Sequence, residues 1–162
     1  MSYKHRKTIR TIGKILFVMY AGFIVWFLIF SDWYGRGGKM EEYHYNLELF
    51  REINRFWEYR SQVGYYSMFI NLFGNVFIFI PFGIFLPMAS RYRSFFATLY
   101  AGFGLSLCVE MFQFVSRVGS FDVDDLLLNT IGGITGYIIF MICDFIGSRN
   151  DYKKKSKKSR RC

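Results

Sequence analysis

Four apolar runs limit what this chain can become: 12–30, 69–88, 95–115 and 126–146. At ~1.5 Å of rise per helical residue, each is long enough to cross the ~30 Å hydrocarbon core of a bilayer. A core built from 162 residues, 52% of them hydrophobic, cannot hide all four runs from water. Inside lipid the backbone has no water to bond with, so each run must satisfy its own N–H and C=O groups as a helix. The expectation is an all-α polytopic bundle of four transmembrane helices, with a membrane domain over 1–148 and a basic tail over 149–162.

The formal charge of +9 sits mostly in the two tails, at Lys4, Arg6, Lys7, Arg10 and Lys14 and again from Arg149 to Arg161. Basic flanks beside membrane spans are the positive-inside signal, which places both termini in the cytoplasm and gives no reason to expect a nucleic-acid partner. The first run ends in Phe-Ser-Asp-Trp without a small-residue cleavage pattern, and reads as a retained signal anchor. Cys108 and Cys143 fall in apolar runs and Cys162 is the last residue, so no CxxC pair or zinc pattern exists. Neither a metal nor a cofactor is expected, and the tail after Arg149 reads as disordered and able to touch anionic lipid.

The segment from Ser31 to Ser67 mixes both signs of charge and is poor in Lys and Arg relative to the tails, which suits the outer side. Within it Leu49, Ile53, Phe56 and Trp57 recur at helical spacing, with Glu48, Arg51, Glu52, Arg55 and Glu58 on the remaining arc. This predicts an outer amphipathic helix between the first two spans, lying in the headgroup region. In its sharper form the helix is a lid, and in its plainer form it only covers the bundle's end.

The second span carries Pro81 and Pro87, and Pro81 predicts a kink near Phe77. Arg91 and Arg93 mark the turn at 89–94 as cytoplasmic. Ala97 with Ala101, Gly102 with Ser106, and Gly132 with Gly136 stand at the small-xxx-small spacing that lets helices approach closely.

The stretch from Glu110 to Asn129 concentrates polar groups at the end of one span and the start of the next. Ionisable residues at such depth cost free energy unless paired or solvated, which makes each a functional candidate. Both termini being inside, Asn71, Asn75, Glu110, Gln113 and Asn129 fall within roughly 10 Å of the outer boundary by residue counting. Glu110, Gln113 and Arg117 follow i, i+3, i+7 and share a face if the helix continues that far. Asp125 shares a face with Asn129, or caps its own helix from the first turn. The expected pocket is lined by Asn71, Asn75, Glu110, Gln113, Arg117, Asp122, Asp124, Asp125 and Asn129. Glu110 is expected to be protonated or paired with Arg117. The blander readings are interhelical clamps for the amides, a loop ion pair for Arg117, and turn or cap positions for the aspartates.

Asn75-Val-Phe-Ile-Phe-Ile-Pro-Phe-Gly83, then Glu110-Met-Phe-Gln113, Arg117, and Asp122-Val-Asp-Asp-Leu-Leu-Leu-Asn129 with its glycines to Gly136, resemble the VanZ-like family. Asn46-Leu-Glu-Leu-Phe50 is similar to that family's Asn-Leu-x-Pro-Phe stretch, with Leu49 in place of the proline. The resemblance implies a small multi-pass protein of a bacterial cytoplasmic membrane. Its founding member confers resistance to teicoplanin, a lipid-tailed glycopeptide antibiotic.

Three functions compete at this point. In the first, the outer pocket engages a lipidated antibiotic or a lipid-linked cell-wall precursor, with membrane lipids as neighbours. In the second, an intramembrane enzyme modifies such a precursor, with Glu110 as acid/base and Asp122, Asp124 or Asp125 as base or Mg²⁺ ligand. A serine or cysteine nucleophile is not expected, because His5 and His44 lie far from the cluster in sequence. In the third, the polar cluster only fixes helix packing.

Overall fold

The computed structural model describes residues 3–30, 43–59, 65–91, 93–117 and 119–159. In chain order these form α1 (Tyr3–Phe30), β1 (Tyr45–Asn46), α2 (Arg51–Glu58), α3 (Tyr65–Ala89), α4 (Phe95–Ser116), β2 (Phe121–Asp122) and α5 (Val123–Ser159). Stretches long and apolar enough to cross a membrane occupy Lys7–Phe27, Leu72–Ala89, Phe95–Ser116 and Val123–Arg149. The four expected spans are present, and the first and last helices extend furthest beyond their apolar runs. The basic residues ahead of Ile12 belong to α1, and the segment after Arg149, expected to be disordered, continues α5 as helix to Ser159. Lys and Arg have good helix propensity, so the tail continues a helix already nucleated in the span. The parts of the outer segment at 31–42 and 60–64 lie outside the described residues.

Glycine places α3 in the middle of the bundle, between α1 and α5. A methyl group at Gly83 would collide with the Gly133 carbonyl oxygen. One at Gly132 would meet the Val76 carbonyl, and one at Gly136 the Ile80 carbonyl. The Gly132/Gly136 pair therefore brings the α5 backbone directly onto α3, the close approach that small residues permit. The α4 pairs divide. Gly102 and Ser106 are buried and Gly102 faces the Phe82 ring, whereas Ala97 and Ala101 are exposed.

On the other flank α1 packs through Tyr20 and Ile24 onto Phe79 and Phe82 of α3, a cluster that Val109 of α4 completes. The Tyr20 hydroxyl donates to the Ile78 carbonyl at 2.9 Å. That contact lies one residue from the Phe77 carbonyl, which Pro81 deprives of its intrahelical N–H. Helix α3 runs unbroken through both prolines.

One end of the bundle is closed by Gly13 of α1 against Met88 and Ala89, and by Arg93, which pairs with Asp144 of α5 at 2.8 Å. The Arg93 guanidinium also lies over the Phe140 ring, and its carbonyl accepts the Tyr137 hydroxyl. The basic flanks of α1 and α5 leave from this end. At the opposite end β1 and β2 pair in parallel, Tyr45 with Phe121 and Asn46 with Asp122. This pairing ties the segment before α2 to the α4–α5 connection.

Candidate functional site

The site grows from two helix starts. Asp122 is the residue before α5, and its carboxylate accepts the Asp124 N–H at 2.8 Å, satisfying one of the open donors of the helix's first turn. Asp124, two residues further, turns its carboxylate to another helix. Its two oxygens accept the N–H groups of Phe50 at 2.5 Å, Glu52 at 2.8 Å and Ile53 at 3.4 Å, so that Asp124 caps α2 from another helix. Helix α2 needs this partner. Phe50 at its N-cap has no side-chain acceptor and sits in the left-handed region at φ 67°. A bulky residue tolerates that conformation only when its surroundings impose it.

Two further contacts extend this arrangement. The Asn46 amide donates to Asp122 at 3.2 Å while its carbonyl oxygen accepts the Glu48 N–H at 3.1 Å. Glu110 of α4 accepts the Asp122 N–H at 3.0 Å. Glu110 is 2% exposed and Asp124 1%, a depth at which a carboxylate requires such donors. Burial pushes the Asp122 carboxyl above the usual range, against the lowering effect of the Asp124 N–H and the Asn46 amide. Burial likewise raises Glu52, although Arg55 at 2.5 Å partly offsets it.

Beneath this network lies a cavity of about 500 Å³. Its polar wall carries Asn75, Glu110, Gln113, Asp122, Asp124, Asp125 and Asn129, and its apolar wall includes Ile24, Phe27, Leu72, Phe79 and Leu128. Asp125 accepts a hydrogen bond from the Asn75 amide of α3, and Asn129 donates to the fully buried Ser106 of α4 at 3.0 Å. Asn129 thus clamps α5 to α4 while also facing the cavity. Asn75 stands one helical turn from Asn71, whose side chain lies outside the described residues.

Several expectations change here. Helix α4 stops at Ser116 and Arg117 turns left-handed at φ 56°, so the face shared by Glu110 and Gln113 does not reach it. The Arg117 guanidinium instead stacks 4.3 Å over the Tyr43 ring, away from the cavity lining. Asp125 does not cap its own helix; Asp122 does. His44, set aside because of its distance in sequence, lines the cavity, because β1 pairs with β2. Among the described residues no three His, Cys, Asp or Glu side chains are arranged to hold a metal ion. Both Asp124 oxygens accept backbone N–H groups, and Asp122 Oδ1 accepts the Asp124 N–H and the Asn46 amide.

Sequence reasoning passed over Asn46, Glu52, Arg51 and Arg55, which also line the cavity. The signal for Asn46 was its place at the head of the Asn-Leu-Glu-Leu-Phe stretch. Helix α2 presents Arg51, Glu52, Ile53 and Arg55 to the cavity and leaves Trp57 63% exposed; Leu49, in the turn before it, is exposed too.

The fold and site define a class: a four-span helical membrane protein with an amphiphilic cavity at one end, roofed by a short helix that the bundle itself caps. A model of the VanZ/LLP1 family matches residues 17–144, and the chain belongs to that family. It is 35% identical over 72 residues to "Protein VanZ" of Enterococcus faecium, a stretch covering 44% of this chain and 45% of that relative. The matched stretch thus spans about half the length of the curated relative. No solved structure matches.

Proposed function

We propose that this protein lowers susceptibility to lipid-tailed glycopeptide antibiotics such as teicoplanin by engaging a lipidic or cell-envelope ligand in the cavity. The observation that carries the reading is the division of one 500 Å³ space into a carboxylate and amide wall and an apolar wall. Its volume falls within the ~300–1,000 Å³ typical of ligand pockets. A ligand with a hydrogen-bonding head and a hydrocarbon tail satisfies both walls at once. The basic flanks leaving the opposite end support an orientation with both termini in the cytoplasm and the cavity at the outer face. In that orientation α2 lies at the outer membrane boundary with Leu49 and Trp57 toward lipid, and the host is a bacterial cytoplasmic membrane. Family membership brings the teicoplanin association to this chain.

The test compares teicoplanin with vancomycin, which lacks the acyl chain, in a Gram-positive host with and without the protein. Protection against teicoplanin alone supports the reading. Equal protection against both drugs, or none, contradicts it.

The enzymatic alternative keeps Glu110 as acid/base, with Asp125 the aspartate best placed to assist it. Asp124 commits both oxygens to the first turn of α2 and Asp122 Oδ1 accepts from the Asp124 N–H and the Asn46 amide, whereas Asp125, which lines the cavity, accepts from the neutral Asn75 amide. A modified product recovered from purified protein and a lipid-linked precursor would establish that alternative.

A further inference from the structure

The charges that line the cavity are sorted by burial. Its two guanidiniums belong to the roof: Arg51 and Arg55 are largely exposed, and each faces an acid three residues earlier, Glu48 at 3.7 Å and Glu52 at 2.5 Å. The carboxylates of the wall lie deeper, Glu110 and Asp122 buried and Asp125 partly so. An ionised carboxylate accepts hydrogen bonds and cannot donate them. The amides beside them turn their NH₂ groups to protein partners, Asn75 to Asp125 and Asn129 to Ser106. A head group that passes the roof therefore meets an excess of acceptors and of negative charge, with Gln113 able to serve either way. Among the described residues these acids do not converge as metal ligands. Acceptors spread around a 500 Å³ space suit a cation that brings its own donors.

The geometry points to a cavity that selects amphiphiles whose head carries a protonated amine, the ammonium donating into the wall of Glu110, Asp122 and Asp125 while the chain lies against Ile24, Phe79 and Leu128. This deepens the proposed function and rests on it for the presence of an amphiphile in the cavity. A phosphate or carboxylate head is disfavoured, because it would stand against buried carboxylates where like charges repel most strongly. The arginines that could attract it sit at the roof, already paired. An ammonium supplies three donors, and its bonds to carboxylates are charge-assisted. It also offsets the burial that raises the Asp122 and Glu52 carboxyls, since a nearby positive charge favours their ionised form.

The test places the full chain in nanodiscs of phosphatidylcholine, whose head has no N–H, and follows Tm at neutral pH against the mole fraction of three probes that share one alkyl chain. These are dodecylamine, N-dodecylacetamide and dodecyl phosphate. A ligand that binds the folded state raises Tm as it saturates the site. Dodecylamine is expected to act at about tenfold lower mole fraction than N-dodecylacetamide, the factor by which a hydrogen bond from a charged donor exceeds a neutral one. Dodecyl phosphate is expected to act least. The formal charge of +9 makes this order diagnostic, because attraction to the protein as a whole favours the phosphate. Asp125→Asn should close most of the gap between amine and amide, and Leu128→Trp, which fills the cavity, should remove the response to both. The order in the wild-type protein decides the matter even where a variant fails to fold. An equal response to amine and amide, or a stronger one to the phosphate, overturns the inference and leaves an amphiphile in the cavity. A gap that survives Leu128→Trp puts the amine outside the cavity and overturns it too, as does no response to dodecylamine. Failure of the resistance reading is separate: an amine preference without teicoplanin protection leaves the head-group assignment standing, and protection without an amine preference removes only that assignment.

Discussion

The Asp124 carboxylate accepts the backbone N–H of Glu52, 72 residues earlier in the chain, at 2.8 Å. A short helix thereby receives its cap from the transmembrane helix beneath it, and the roof of the cavity is fastened to its wall. Eight residues alone fall well below the length at which a helix persists in water, so α2 depends on this attachment.

Replacing Asp124 with Ala should release α2 while leaving the spans in place. The loss of a cap costs about 0.5–2 kcal/mol, and a buried carboxylate that serves several donors lies toward the upper end. Hydrogen–deuterium exchange in detergent should show faster exchange at 50–58 with little change in α3 or α5. Unchanged protection of α2 would mean that the cap is dispensable.

Gly136→Ala should destabilise the bundle, because the added methyl meets the Ile80 carbonyl and the α3–α5 contact cannot close. Overpacking of this kind costs about 1–3 kcal/mol. Gly133→Ala, three positions earlier, has no atom within 4 Å of the added carbon and serves as control. Melting in detergent should separate the two variants, with Gly136→Ala lower.

Protonation should tighten the roof. Asp122 holds its proton more firmly in the folded state than in the unfolded one, chiefly through burial. The folded state therefore binds more protons across the window from the ordinary aspartate value, about 4, up to the raised one. Stability falls as pH rises through that window. An Asp122→Asn variant retains an acceptor for the Asp124 N–H and should show a shallower decline in Tm over the same range. An identical slope would place the pH dependence elsewhere.

Hydropathy reveals the four spans because a membrane helix must be apolar along its length, and ~20 residues is a strong signal. Residue counting brings Asn75, Glu110, Gln113 and Asn129 to one depth for the same reason, since a helix advances by a fixed rise. What stayed hidden depends on contacts distant in sequence. No local pattern states that Tyr45 pairs with Phe121, so His44 and Asn46 could not be assigned to the cavity. Asp122, Asp124 and Asp125 look alike within three residues of sequence. The structure gives them three partners, the first turn of α5, the first turn of α2 and the Asn75 amide. The end of α4 was hidden because Arg117 carries no glycine signal for its left-handed turn.

The central claim is that the two-walled cavity carries the function. The direct measurement is teicoplanin susceptibility of cells expressing wild type, Asp125→Asn and Leu128→Trp at matched membrane levels, with Arg91→Gln, on the exposed turn at the opposite end, as control. The polar-wall change and the cavity-filling change should each abolish most of the protection given by wild type, while Arg91→Gln retains it. Full protection from both cavity variants would contradict the account.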